Sequence, residues 1–413
     1  MRRRISLLAG AAIFAASAPL AGVLAQSGPE ADDNSRFAAW LEEFRAEAAR
    51  SGVGEATLRD AFSGITLNPR VIAANNRQPE FTRPIWEYLE IAVSPERVER
   101  GRAGFAEHRD LLAEIESAYS VDAEAIAAIW GLESSYGAIM GDYDAFEALA
   151  TLAFEGRRTS YGREQLLGAL KILDMGYASK DLMKGSWAGA MGQTQFIPTT
   201  YLAYAQDHDG DGRRDLWTNL GDVFASTANY LKVSGWRLGE PAAVEVSLPA
   251  DFDYALADLR IRKPLSEWRA IGVAAIAPDR LATLGEDAEA AILLPAGARG
   301  PAFFTFQNFR AFMRYNNSSA YALGVAGLSE LIAGEDWSVS ASWPVEERPL
   351  NREQRIALQR YLAESGYEPG AADGIIGART KAALRAYQRD VGLAPDGFAT
   401  TAVLRRLEGV IER

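Results

Sequence analysis

The chain contains not one cysteine, yet its first residues read as an address for export, and the two facts together constrain the fold most. Proteins outside the reducing cytoplasm commonly lean on disulfides. This one must be held by a buried apolar core, and 413 residues are enough to build it. The address consists of Arg2, Arg3 and Arg4 followed by an uncharged, mostly apolar stretch from Ile5 to about Ala25, with the small residues Val23 and Ala25 placed before Gln26 as a signal peptidase requires. Residues 1–25 are therefore expected to be a cleaved signal peptide. An uncleaved membrane anchor is the alternative, because the run is almost long enough to span a bilayer.

The missing cysteines also exclude thiolate metal centres, a cysteine nucleophile and a lipid anchor on an N-terminal cysteine. His108 and His208 are the only histidines, too few for a His-rich zinc centre. The net charge of −12 becomes about −15 without the three leading arginines, which argues against broad nucleic-acid binding. The acidic excess lies in the larger N-terminal part, since residues 350–413 carry ten basic and eight acidic side chains.

The length implies two or three domains. Phe37, Trp40, Leu41, Phe44 and Ala48 start a helical pattern that continues, broken by turns, to about Trp236. Residues 240–306 differ, with short β-prone pieces at Val244–Leu248, Ala291–Leu294 and Phe303–Phe306 between Pro, Gly and Asp. Helix resumes near Asn308 and runs past Tyr321. Trp337–Pro349 reads as a linker, and residues 350–410 as a small module of three helices, the first opened by a capping pair, Asn351 with Gln354, the others by Thr380 and Thr401. The expected fold is mainly α, with a small inserted β subdomain and a three-helix module after it.

One helix carries an unusual side chain. In the Ala-rich segment Val121–Glu133, which Ser120 or Asp122 can cap, Ile126, Ile129, Trp130 and Glu133 lie at i, i+3, i+4 and i+7. A carboxyl thus shares the inward stripe. Burial disfavours its charged form and holds a proton near neutral pH, as a general acid requires. Gly131 and Gly137 leave room for other backbone to approach it. A buried Glu paired with an Arg for structure fits this feature equally well. Two further segments bear on the choice. Residues 185–201 read Gly-Ser-Trp-Ala-Gly-Ala-Met-Gly-Gln-Thr-Gln-Phe-Ile-Pro-Thr-Thr-Tyr, whose glycines, amides and aromatics suit a wall that binds sugars, or a plain turn before a helix. Arg314–Tyr321 is more polar and aromatic than a core helix would be.

Gly-Leu-Glu-Ser-Ser-Tyr-Gly at 131–137, Gly-Ala-Met-Gly-Gln-Thr-Gln-Phe-Ile-Pro at 189–198, Ala-Asn-Tyr-Leu at 228–231 and Arg-Tyr-Asn-Asn-Ser at 314–318 resemble the lytic murein transglycosylase B family, in the same order, over roughly residues 35–335. The resemblance implies a lysozyme-like helical catalytic domain, 26–336, in the periplasm, with Glu133 as its single catalytic carboxylate. It further implies that Ser186, Gln195, Tyr230, Asn316, Tyr321 and, more weakly, Tyr88 line a glycan groove. Ordinary glycosidases use two carboxyls, and the motif regions offer no second. In this family the substrate's own 6-hydroxyl is the nucleophile, which yields a 1,6-anhydro end on N-acetylmuramic acid. A hydrolytic muramidase and a non-catalytic wall-binding protein are the rival readings. The implied partners are peptidoglycan glycan strands and cell-wall synthesis or remodelling proteins, with no nucleic acid.

Residues 207–222 hold an acidic loop. Asp207, Asp209, Asp211 and Asp215, with the Arg213 carbonyl and Gly212, match most of an EF-hand calcium loop. The bidentate Glu expected at its end is Thr218 instead, and the family's lengthened loop implies Asp222 in that part. The expectation is structural calcium with no cofactor for catalysis; a solvated Asp/Gly turn is the alternative. Finally, Gly366–Thr380 with Ala383, Leu384, Tyr387 and Gln388 resembles the three-helix peptidoglycan-binding module. In it Gly374 and Gly377 are expected in tight turns, Asp373 bonded to its own turn, and Arg379, Arg385 and Arg389 available to peptide-stem carboxylates.

Overall fold

The structure, a computed structural model, describes residues 29–77, 83–156 and 158–411; the expected signal peptide lies outside them. No helix among the described residues is long and apolar enough to cross a membrane. The chain is mainly α, with small sheets.

Two apolar cores build the larger part. The first gathers Ala123–Ser134 with helices Pro95–Glu107, Arg109–Tyr119, Leu220–Val233, Gln307–Tyr315 and Ser319–Ala333. The second gathers Pro29–Arg50, Glu55–Ala61, Ala145–Phe154, Thr159–Asp174 and Pro198–Tyr204. Small residues set the spacing in the first core: a Cβ on Gly324 would lie 2.9 Å from Ala92 Cβ and 3.1 Å from Tyr88 Cε1, so Ser319–Ala333 packs closely on Ile85–Ala92. Tyr315 packs against both cores, so the site described below sits at their seam.

The Ala123–Ser134 helix is buried on nearly every side. Neither expected cap serves it. Ser120 ends the preceding helix in the left-handed region, φ 56°, and Asp122 accepts instead from Trp236 Nε1 (2.7 Å) and Gly239 N (3.1 Å). The orphan N–H of Ala123 donates to Glu116 Oε2 at 2.8 Å.

Strands β1 (Tyr143–Asp144) and β2 (Lys184–Gly185) form a two-residue antiparallel pair. The inserted sheet comprises β3 (Ala243–Ser247), β4 (Lys263–Pro264), β5 (Ala274–Ala275), β6 (Glu289–Leu293) and β7 (Ala302–Thr305), in the order β4-β6-β7-β3-β5 with antiparallel pairing. Trp268, fully buried on helix Leu265–Ala270, donates to Ala290 O at 2.9 Å and fixes that helix to the sheet. The two ends of the insertion are tied together. Buried Asn308 accepts from Arg237 N (2.8 Å) and donates to Arg237 O and Glu240 O (both 2.7 Å). Glu240 accepts from Gln307 N at 2.7 Å. The sheet can thus be inserted without loosening the helix that delivers Tyr315.

Residues 337–349 lack regular structure but lie pinned to the larger part. Ser340 N and Ala341 N donate to Glu245 (2.7 and 2.9 Å), Trp343 packs on Trp86, and Arg348 pairs with Glu87. The module beyond has helices Arg352–Glu364, Ala378–Asp390 and Thr401–Ile411 around their own core. Asn351 and Gln354 form a reciprocal capping box. One expectation fails here. Thr380 is buried in the first turn of a helix that starts at Ala378 and donates to Pro369 O at 3.0 Å rather than capping. Both glycines lie in tight turns: Gly374, φ 79°, sits beside Asp373, which accepts from Ile375 N at 2.8 Å, and Gly377, with an ordinary φ of −85°, donates its N–H back to Ile375 O at 2.9 Å.

Candidate active site

Glu133 is half-buried near the end of its helix. Its Oε1 accepts from the hydroxyl of Tyr321 at 2.6 Å. Among the described residues no arginine pairs with it. Burial pushes its carboxyl up to about 7, and the Tyr321 hydroxyl pulls the other way. No second acid among the described residues contributes. The partner phenol is buried, and Tyr321 is held well above the usual tyrosine range by burial and then by the Glu133 charge. It therefore stays a donor.

Backbone strain clusters beside the acid. Ser135 and Tyr136, immediately after the helix, have φ of 50° and 60°, and Gln195 has 50°. Non-glycine residues adopt such values only where the surroundings over-determine them. Tyr136 folds back beneath the helix, its ring filling the place where a Cβ on Gly131 would lie 2.5 Å away, and its hydroxyl donates to Arg97 O at 2.8 Å. Gly131 and Gly137 were expected to admit backbone. The neighbours they admit are side chains, Tyr136 and Gln193 respectively.

An aromatic wall runs from the acid along the seam. Tyr321 lies nearly parallel to Tyr315, ring centres 6.4 Å apart; Tyr315 meets Tyr230 edge-on at 4.9 Å, and Tyr230 meets Tyr204 at 4.7 Å. The hydroxyl of Tyr230 donates to Arg314 O (2.6 Å) and that of Tyr315 to Thr194 O (2.7 Å). Gln195, Phe196, Tyr230 and Tyr315 border one pocket of about 200 Å³. The amide nitrogen of Gln195 donates to Met140 O (3.0 Å) and Gly192 O (2.9 Å), which fixes the plane of the amide. Ser186 closes a turn with Ala190, accepting on Oγ at 3.1 Å. Asn316 is exposed at the end of the Tyr315 helix, and Tyr88 lies near Tyr321. The expected groove residues come from four segments: Tyr88 on Ile85–Ala92, Ser186 and Gln195 on the Gly-rich stretch before Pro198, Tyr230 on Leu220–Val233, and Asn316 with Tyr321 just before and at the start of Ser319–Ala333. Tyr321 touches Glu133, and Gln195 and Tyr230 share one pocket.

Tyr315 and Gln193 were not singled out from the sequence. Buried Gln193 accepts from Trp130 Nε1 at 2.6 Å and donates to Trp217 O at 2.8 Å. It ties the acid's helix to the Gly-rich segment and, through Trp217, to the acidic loop. In that loop Asp207, Asp209 and Asp211 each bring a carboxylate oxygen within 4.8 Å of the others. Asp215 accepts from Trp217 N and Thr218 N (2.8 and 2.9 Å). Asp222 is fully buried and closes the loop from behind, accepting from His208 N (2.7 Å) and Asp215 N (2.6 Å). Burial pushes its carboxyl up to about 6. Its oxygens thus hold the loop's backbone, while the exposed cluster is formed by the first three aspartates.

Comparison with known proteins decides the family. The model described as "Transglycosylase SLT domain" matches residues 36–330, and that described as "Putative peptidoglycan binding domain" matches residues 351–407. The chain belongs to the transglycosylase SLT family. Its members named below are lytic transglycosylases, and this chain is an enzyme of that family. It is 32% identical over 253 residues to membrane-bound lytic murein transglycosylase B of Escherichia coli K12, spanning 60% of this chain and 66% of that one. Crystalline SltB3 of Pseudomonas aeruginosa, in complex with NAG-anhNAM-pentapeptide, is 52% identical with a TM-score of 0.86, covering 90% of this chain and 99% of its own. Escherichia coli Slt35 in complex with calcium is 28% identical with a TM-score of 0.61, covering 73% and 93%. The lysozyme-like catalytic fold and the C-terminal binding module are those of this transglycosylase family.

Proposed function

We propose that this transglycosylase cleaves the β-1,4 bond between N-acetylmuramic acid and N-acetylglucosamine in peptidoglycan without water, leaving 1,6-anhydro ends, in the periplasm. One observation carries the reading: a lone carboxyl, raised to about 7, whose partner is a phenol rather than an arginine or a second acid. Protonated Glu133 delivers its proton to the glycosidic oxygen as the C1–O bond breaks, and the N-acetylglucosamine side leaves as an alcohol. The muramic 6-hydroxyl then closes on C1 and gives its proton to Glu133, which is restored. An intramolecular nucleophile of high effective molarity makes the second carboxyl of ordinary glycosidases unnecessary. Tyr321 orients the acid, and Tyr230, Tyr315, Gln195, Ser186, Asn316 and Tyr88 supply the faces and amides that hold sugars.

The SltB3 complex with an anhydro-muramyl peptide supports this chemistry by analogy. The expected export signal supports the location. Asp207, Asp209 and Asp211 suit a hard cation, with Asp215 and the Arg213 carbonyl next along the loop, and Slt35 was solved with calcium. Calcium there would neutralise the clustered acids and stiffen the loop behind Trp217. The mass of the released fragments tests the reaction: each non-hydrolytic cut leaves a muramyl end lighter by one water than a muramidase leaves.

A further inference from the structure

The binding module does not trail free of the catalytic part. Between them lies a cleft of about 670 Å³ with one wall on the inserted sheet and the other on the module. Docking at its edge is specific: Asp396 of the module accepts from Ala298 N of the sheet subdomain at 2.7 Å. The cleft reaches Asn317 and Ser319, neighbours of exposed Asn316 and of Ser318, whose Oγ accepts from Tyr321 N at 3.3 Å. It is therefore continuous in the chain with the segment that presents Tyr321 to Glu133.

Its charge is one-sided. Both acids that line it are engaged, Asp258 by Arg260 (2.9 and 2.6 Å) and Asp396 by Ala298, Gln388 and Phe398. Of the cations on the module wall, Lys381 lies close enough to Asp258 to favour that carboxylate's charged form, while Arg355 and Arg385 have no ion-pair partner among the described residues. The Nε atoms of Arg355 and Arg385 are moreover buried without a hydrogen-bond acceptor. A buried, unsatisfied donor is costly, and on a cation it calls for an anionic acceptor. Arg379 and Arg389 do not line this cleft.

We infer that Arg355, Lys381 and Arg385 form a carboxylate seat for the peptide stem of the glycan strand bound at Glu133. This rests on the peptidoglycan reading above. A stem hangs from the muramic lactyl group and carries free carboxylates. The cleft begins at Asn317, next in the chain to Asn316, and its arginine forks match carboxylate geometry. The module then reads the stem of the strand being cut as well as holding the wall.

The test compares soluble glycan strands bearing intact stems with the same strands stripped by an amidase. Wild type is expected to favour stemmed strands by about tenfold or more in kcat/KM, as a charge-assisted contact predicts. The double variant Lys381→Gln with Arg385→Gln is expected to lose most of that preference through KM. Lys381→Gln alone, at an exposed position, should lose several-fold and serves if the double variant melts early. Equal use of both strands by wild type, or an undiminished preference in the variants, overturns the seat. Failure of the underlying reading looks different: wild type would release no anhydro ends from either strand.

Discussion

The hydroxyl of Tyr321 lies 2.6 Å from Oε1 of Glu133, and the two side chains come from helices 188 residues apart. The contact links the most buried helix of the first core to a segment that re-enters it only after the whole inserted sheet. It also sets the acid's chemistry. Burial alone would hold the proton more tightly, and the phenol's donation moderates that toward about 7, where an acid can both give and regain a proton near neutral pH.

Tyr321→Phe should therefore raise the pKa of Glu133 further and loosen its orientation. The alkaline limb of the kcat/KM profile is expected to move to higher pH while the plateau falls by about tenfold or more. An unchanged profile would separate the phenol from the acid's function.

Stability should report the same burial. Folded Glu133 keeps its proton up to about 7, whereas the unfolded chain releases it near 4.5. Between those values the folded state binds more proton, so this group's contribution to stability falls as pH rises and is unfavourable above 7. Glu133→Gln should match wild type near pH 4 and exceed it by up to about 3 kcal/mol at pH 8. Glu330, also raised to about 7 by burial, is common to both proteins and cancels in the difference. Thermal melts at the two pH values measure it.

Gln193→Ala should cost about 2 kcal/mol, because it strands the Trp130 indole N–H and the Trp217 carbonyl. Denaturant unfolding measures the loss. A variant as stable as wild type would show that water replaces the amide without cost.

The stripe that carries Glu133 was legible because helical periodicity alone puts it beside Ile126, Ile129 and Trp130. The three main strands were legible as β-branched and aromatic runs between breakers, and the Asn351–Gln354 box as a spacing. The partners of buried polar groups were not. Nothing local tells that the indole of Trp130 meets Gln193 rather than its neighbour Gln195, or that Asp122 serves Trp236 instead of its own helix. Those pairings are long-range, decided by where cores place helices. Thr380 misled for the related reason that a hydroxyl suited to capping also suits a buried turn.

Calcium should raise the melting temperature and a chelator lower it, by an amount that grows with free calcium as linkage requires. Asp209→Asn should blunt the response by removing one of three clustered carboxylates. Identical melts in chelator and in excess calcium would contradict a metal role for the loop.

The most direct measurement is digestion of purified sacculi by wild type and by Glu133→Gln, with mass analysis of every released fragment. The account predicts anhydro-muramyl ends from wild type and release reduced by at least about a thousandfold in the variant, which keeps the fold but has no proton to give. Comparable release by Glu133→Gln, or wild-type fragments that all carry the added water, would contradict it.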